Sequence, residues 1–244
     1  MCGIIGIASN KPVSINIINS LKKLEYRGYD SAGLATLTNK NINEKKCIGR
    51  VEELEKILFK TPREGNIGIG HVRWATHGVP NIVNAHPHST DQVSVVHNGI
   101  IENSDELKKE LENNGLKFKS QTDTEVITFL ISEALKEHDP LNSVFKTLKK
   151  LKGSFALGIL FKNFSDIIIG ARRGSPLAVG YSKDENYLGS DSYALKSMTN
   201  KISYLDDGDV CVISKDEVKF YDVSLKKINK KTHILSEDEN IADK

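Results

Sequence analysis

The chain is poor in the features that mark several common protein classes. No stretch of its 244 residues approaches the ~20 consecutive apolar residues that a bilayer-spanning helix requires. The opening residues carry no basic stretch of a secretory leader, and Asn10-Lys11-Pro12 cuts the first apolar run short. Cysteine is scarce: Cys2, Cys47 and Cys211 are odd in number and far apart, which excludes a disulfide framework and suits a reducing cytoplasm. Charge of one sign is not in excess. With 34 basic and 32 acidic residues and a net charge of +2, nothing electrostatic calls for nucleic acid or an anionic membrane as partner. There is no internal repeat and no low-complexity tract. What remains is a globular chain, 39% hydrophobic and 27% charged, long enough for one large domain or two small ones.

The hydrophobic pattern is mixed. Residues 3–9 read as a strand. Ser14 reads as the cap of a helix to about Tyr26, with Ile15, Ile18, Leu21 and Leu24 spaced for one buried face. Arg27–Ser31 reads as a turn and Leu34–Leu37 as a short strand. A short amphipathic helix is expected over Val51–Leu58. Ile67–His71 and Val93–His97 read as strands joined by a long polar loop from Trp74 to Gln92. A helix over Ser104–Asn114 ends at Gly115. Thr122-Asp123-Thr124-Glu125 has the form of a capping box in front of an apolar helix, and another helix runs from about Leu141 to Leu151. Beyond Gly153 come short β-like runs at 155–161, 166–171, 177–180, 187–189, 210–213 and 218–221. Strands, then helices, then many strands predict an α+β architecture. Residues 225–244 are polar and aperiodic and read as a tail or linker, which leaves 1–224 as the domain.

Several segments carry chemistry. Cys2 follows only Met1. Removal of that Met, expected because Cys is a small second residue, leaves a thiol and a free α-amine on one carbon. The amine, with a reference pKa of about 7.7–8.0, can take the thiol proton and later deliver it to a leaving amine. The alternative for Cys2 is a small buried hydrophobe at a strand start. Arg73-Trp74-Ala75-Thr76-His77-Gly78 follows a predicted strand: the Arg could grip a carboxylate through two parallel hydrogen bonds, and the Trp could cover a small ligand. A surface Arg and a core Trp are the alternative. The Asn98 amide beside the Gly99 N–H could form an oxyanion hole, or the pair could be an Asn-Gly turn. Asp123 could bind an ammonium or simply favour its helix dipole. Five of the seven histidines fall between 71 and 97, and His86-Pro87-His88 raises a metal-hydrolase alternative. A non-catalytic binding or regulatory module, with Met1 retained, is a further one. Cys47 and Cys211 read as structural.

Taken in order, Cys2-Gly-Ile-Ile-Gly6, Glu25-Tyr-Arg-Gly-Tyr-Asp-Ser-Ala-Gly33, His71-Val-Arg-Trp-Ala-Thr-His-Gly78, Asn84-Ala-His-Pro-His88, Val96-His-Asn-Gly-Ile-Ile-Glu-Asn103, Thr122-Asp-Thr-Glu-Val126 and Gly174-Ser-Pro-Leu177 resemble the glutaminase domain of the class II, N-terminal-nucleophile glutamine amidotransferases. Within that class they are most similar to the glutamine–fructose-6-phosphate aminotransferases. The resemblance implies a four-layer αββα sandwich that hydrolyses L-glutamine to glutamate and ammonia without metal or organic cofactor. It implies Cys2 as nucleophile, Asn98 and Gly99 as oxyanion hole, and Arg27 as an aid to positioning the nucleophile. Arg73 would hold the glutamine α-carboxylate and Asp123 its α-ammonium, Thr76 and His77 would complete the pocket, and Trp74 would act as lid and ammonia gate. Two sugar-isomerase domains, which bind fructose 6-phosphate in the family, have no counterpart in these residues, and the resemblance implies a homodimer for the full-length enzyme. Gln121 stands where the family usually has Glu, a change expected to shift the local cap.

Overall fold

In the computed structural model, residues 2–38, 41–61, 64–74 and 78–236 are described. The chain begins with β1 (Gly3–Ser9), α1 (Ser14–Leu24), a 3₁₀ turn (Glu25–Arg27), β2 (Ser31–Thr38), β3 (Asn41–Ile48), α2 (Val51–Lys60) and β4 (Ile67–Arg73). It continues through β5 (His88–Ser89), β6 (Val93–Ile101), α3 (Ser104–Asn113), α4 (Asp123–Ala134) and α5 (Pro140–Leu148). The second half adds β7 (Gly153–Phe161), β8 (Phe164–Arg173), β9 (Ala178–Tyr181), β10 (Glu185–Gly189), α6 (Ser192–Lys196) and β11 (Lys201–Tyr204). It closes with β12 (Val210–Ile213), β13 (Val218–Tyr221), β14 (Lys227–Ile228) and β15 (His233–Ile234).

Among the described residues these strands make two antiparallel sheets, ordered β15-β11-β9-β10-β1-β4-β2-β3 and β14-β13-β12-β8-β7-β6-β5. The sheets face each other. Helices α1, α2 and α6 pack on the outer face of the first, and α4 on that of the second, with α3 and α5 beside it. The expected αββα sandwich is the observed fold.

Strand alternation explains how one sequence fills three apolar seams. In β1, Ile5 and Ile7 point to the α1 side while Ile4 and Ala8 point between the sheets. In β7, Phe155, Leu157, Ile159 and Phe161 meet α4 and α5, while Ala156 and Leu160 face the opposite sheet. Central strands are therefore buried on both faces and read as unbroken apolar runs. Each fully buried Ile or Leu contributes about 1.5–3 kcal/mol, so this middle seam is a main source of stability.

The structure corrects four local expectations. The buried face of α1 is Ser14, Ile17, Ile18, Leu21 and Leu24, whereas Ile15 is 52% exposed; at 100° per residue Ile15 lies about 120° from the middle of that face. Val13, not Ser14, occupies the cap position. The strand expected over 34–37 extends to Ser31–Thr38 and pairs along its length with β3, which the hydrophobic pattern did not reveal. As the sheet edge, β3 carries Glu44, Lys45 and Lys46 and needs no apolar alternation. The polar tail from 225 also joins the fold: β14 pairs with β13, and β15 with β11.

Candidate active site

The site forms where strand ends from both sheets meet. Gly3 pairs with Val72, and Ser31 with Arg73, so Cys2, Arg73 and Asp30 emerge along one edge of the first sheet. The Cys2 Sγ accepts the Trp74 backbone N–H at 3.3 Å and lies 3.5 Å from the Trp74 carbonyl. Burial pushes the Cys2 thiol above its ordinary value, and the hydrogen bond from Trp74 and the charge of Arg73 pull it back in part. A cleft of about 30 Å³ beside the sulfur is lined by Cys2, Arg73, Trp74, Gly99, Asp123 and Thr124, with His86, His97 and Thr122 behind.

Period-2 alternation brings the next group together. In β4, Ile67 and Ile69 face the opposite sheet, and His71 and Arg73 continue that row. In β6, Val96 faces it and Asn98 follows. The apolar seam therefore ends in polar side chains from both sheets. The Asn98 amide donates from Nδ2 to the Cys2 carbonyl at 3.1 Å, and its Oδ1 lies 3.0 Å from His71 Nε2. The same Nε2 is 3.0 Å from the His97 carbonyl. Asn98-Gly99 is not a turn: β6 runs through it to Ile101, opposite β7. Gly99 has φ +131°, and a Cβ there would sit 2.2 Å from the Ser154 carbonyl oxygen, so only glycine lets the two strands approach this closely.

The other face of β6 presents His97 to the start of α4. Asp123 takes the Ile101 N–H on Oδ2 at 2.8 Å, and its Oδ1 is 3.6 Å from His97 Nδ1. The capping box is not formed. Thr122 makes no side-chain cap bond; its hydroxyl meets Ser120 Oγ at 3.0 Å and His88 Nε2 at 2.9 Å. Glu125 reaches past the cap to the N–H groups of Lys119 and Ser120. The buried His88 ring competes successfully for the hydroxyl because an unpaired buried polar group costs more than a weak cap. Gln121 takes the Asn84 amide on Oε1 at 3.0 Å and donates its N–H to Asn84 Oδ1 at 2.9 Å, which ties the α4 entry to the loop after β4.

That loop, expected as polar and solvated, is buried at Asn84, Ala85, His86 and His88. His86 stacks on His71 with ring centres 4.3 Å apart, and His88 meets His86 edge-on at 4.8 Å. His86 Nε2 and His97 Nδ1 share the Thr124 hydroxyl at 2.8 and 3.0 Å. Burial lowers His71 and His88 to about 3, and His86 well below its ordinary value. These are neutral rings that hold hydroxyls and each other. Among the described residues no three His, Cys, Asp or Glu side chains converge as a metal-binding group.

Arg73 is buried, with its guanidinium 3.7 Å from Asp30 and 3.3 Å from the Gly78 carbonyl. Asp30 itself donates its N–H to the Arg73 carbonyl and accepts the Ser31 hydroxyl. Trp74 is 52% exposed and lies against Gly28, where a Cβ would come within 2.4 Å of its ring. Arg27 is not in the cleft lining: it pairs with Asp191 at 2.6 Å and with the Tyr26 hydroxyl. Thr76, His77 and Met1 lie outside the described residues. Sequence reasoning overlooked His71, Asp30 and Thr124 in the site. The i, i+2 spacing of His71 with Arg73 was the available signal for the first; Thr124 was hidden inside the apparent cap.

Known proteins similar to this chain carry glutamine amidotransferase names. A family profile described as "Glutamine amidotransferase domain" matches residues 81–197. The chain is 50% identical over 232 residues to a glutamine–fructose-6-phosphate aminotransferase (isomerizing) of Mesorhizobium japonicum, covering 95% of this chain and 38% of that relative. The protein of the same name from Bartonella henselae is 46% identical over 245 residues, covering 100% of this chain and 40% of its own length. The chain thus spans about two fifths of the curated relatives it matches. A glutamine phosphoribosylpyrophosphate amidotransferase structure from B. subtilis superposes with a TM-score of 0.81 at 25% identity, over 93% of this chain and 50% of that one. Residues 81–197 thus belong to a glutamine amidotransferase domain, and nearly the whole chain is similar to the part of glutamine–fructose-6-phosphate aminotransferases that it spans.

Proposed function

We propose that the chain hydrolyses L-glutamine to glutamate and ammonia through a thioester on Cys2. One observation carries this reading: a single cleft gathers the Cys2 thiol, the Arg73 guanidinium, the Asp123 carboxylate and the Gly99 backbone, with the Asn98 amide bonded to the Cys2 carbonyl. Arg73 takes the substrate α-carboxylate and Asp123 its α-ammonium. These two charges set the side-chain amide over Sγ. The sulfur bonds to the amide carbon, and the oxyanion is held by Asn98 Nδ2 and the Gly99 N–H. The C–N bond then breaks, ammonia leaves with the proton taken from the thiol, and water hydrolyses the thioester to glutamate.

A raised thiol pKa means that Sγ is protonated at neutral pH. Attack therefore needs a base close by. The α-amine freed by removal of Met1 fills that role from the same carbon. The cleft holds about 30 Å³, room for roughly one water and far too little for an amino acid. Displacement of the half-exposed Trp74 ring from Gly28 opens it, which makes Trp74 a lid. Arg27 acts through its Asp191 pair on the segment under that ring.

The relatives are named for fructose 6-phosphate as well as glutamine, and by the same proposal ammonia released here aminates that sugar phosphate where this domain is part of a longer, homodimeric, cytoplasmic enzyme. The test needs only this domain. Purified chain with L-glutamine is assayed for glutamate while mass spectrometry reads its first residue. Cys2→Ala is expected to lower turnover at least about 10³-fold with an unchanged melting midpoint. Glutamate release by that variant at the parent rate, or full activity in a sample that retains Met1, ends the proposal.

A further inference from the structure

His71 stands out among the buried side chains that the mechanism above leaves unused. It is fully buried, it sits on β4 one alternation before Arg73, and its Nε2 lies 3.0 Å from two oxygens, the His97 carbonyl and Asn98 Oδ1. Both oxygens can only accept. Nε2 must therefore carry the ring proton and share it between them. The other ring nitrogen, Nδ1, is buried with no hydrogen-bond partner among the described residues, as a bare nitrogen in an apolar setting would be. Stacking of His86 on the ring at 4.3 Å sets its plane.

A carboxamide has two ends of nearly equal size, and nothing in its own shape says which faces the nucleophile. Here the His71 N–H settles the matter. An N–H donor attracts Oδ1 and repels the Nδ2 group, so the amide turns its NH2 towards Cys2, where it meets the Cys2 carbonyl at 3.1 Å. A flipped Asn98 would place an oxygen lone pair where the oxyanion forms and would set two donors, His71 Nε2–H and Nδ2–H, against each other.

We infer that His71 is a positioning residue for glutamine hydrolysis, holding the Asn98 carboxamide with its donor end towards the reacting carbon. This rests on the proposed glutaminase reading and adds a residue to it. The role does not require His71 to touch substrate or to change charge; a ring kept neutral near physiological pH is a fixed donor.

The experiment is a double-mutant cycle on glutamine hydrolysis with kcat and KM measured separately. His71→Leu removes the donor and keeps the volume roughly constant. It is expected to lower kcat by about 10- to 100-fold with KM within threefold. In an Asn98→Ala background the same replacement is expected to cost less than twofold, because there is no amide left to orient. His71→Gln, which restores an N–H on a flexible stem, is expected to recover much of the loss. Equal fold-losses in both backgrounds, or an unchanged kcat in folded His71→Leu, overturns the inference. Nitrogen NMR on the unmodified protein is the second measurement and needs no activity. It is expected to find the His71 proton on Nε2 and Nδ1 bare. A proton on Nδ1 overturns the inference even if the variants fail to fold. If the parent chain releases no glutamate, the function reading fails by itself, and the NMR result still decides whether His71 orients Asn98.

Discussion

The two ends of β1 differ in a way that separates a site from a space. Roughly 20 Å apart along the strand, Cys2 borders a cleft of about 30 Å³, while Ser9 borders a cavity of about 920 Å³ between the far edges of the sheets. The larger space is lined by Pro12, Thr38, Asp166, Lys215, Asp216 and Glu217 among others. Its charged groups pair locally on short, exposed spans: Lys215 with Asp216, and Lys219 with Glu217. Such exposed pairs are worth little and hold nothing in place. At the Cys2 end, buried groups hold one another: His71 meets Asn98, and His86 and His97 share the Thr124 hydroxyl. Volume follows from where sheet edges splay apart. Chemical competence follows from donors whose orientation is set before a ligand arrives.

That contrast can be tested from the strongest effect downwards. Asn98→Ala removes a donor aimed at the developing charge, and kcat for glutamine is expected to fall about 10²- to 10³-fold with little change in melting. A loss under threefold would put the donor set elsewhere.

Acid is the next lever, and it acts on the buried histidines behind the Cys2 end. In the folded chain His71 and His88 titrate at about 3, well below the ordinary histidine value near 6.5. Above about 6.5 both folded and unfolded rings are neutral and nothing is lost. As pH falls below that value the unfolded chain takes up protons that the folded one refuses, so stability drops progressively towards pH 3. Between pH 7 and pH 5 the pair is expected to cost on the order of 4 kcal/mol, read as a lower guanidinium midpoint. A flat profile across that range would show the rings to be solvated.

Backbone geometry gives a smaller effect. Gly99→Ala places a Cβ against the Ser154 carbonyl in a left-handed conformation and is expected to cost about 2–4 kcal/mol by chemical denaturation. Gly115→Ala has φ +86° with nothing within 4 Å of its Cβ, and should cost about 1 kcal/mol. Equal losses would mean that the strand approach at Gly99 is not tight. The smallest effect belongs to the large cavity. Asp216→Ala and Glu217→Ala are expected to leave glutamine turnover within about twofold; a tenfold change would make that end functional and reverse the comparison.

The elements that sequence reading found are those whose burial is apolar. Residues 3–9, 155–161 and 210–213 are unbroken hydrophobic runs and are strands. Those it missed or misread are held by polar contacts or by an edge. β3 is a strand because β2 has a free side, not because Glu44-Lys45-Lys46 favours one. The stretch from 84 to 88 is buried because hydroxyls and amides from α4 and its approach satisfy its histidines and Asn84. Hydropathy counts such residues as solvent-facing. Thr122 and Glu125 matched a cap pattern, but the partners that claimed them, His88, Lys119 and Ser120, were set by tertiary packing or by a turn outside the box.

The sequence by itself determined the α+β pattern, the nucleophile candidate at Cys2 and the set of residue types needed around it, because apolar periodicity and local motifs are properties of neighbouring residues; the four layers were implied only by the family resemblance. Only the tertiary structure decided that Asn98 reaches Cys2, that His71 orients it, and that Arg27 is bound to Asp191 outside the cleft lining. Those pairs are separated by 96, 27 and 164 residues along the chain. Contacts so distant are set by strand register and by which face of each sheet is turned inward, and no local pattern encodes either.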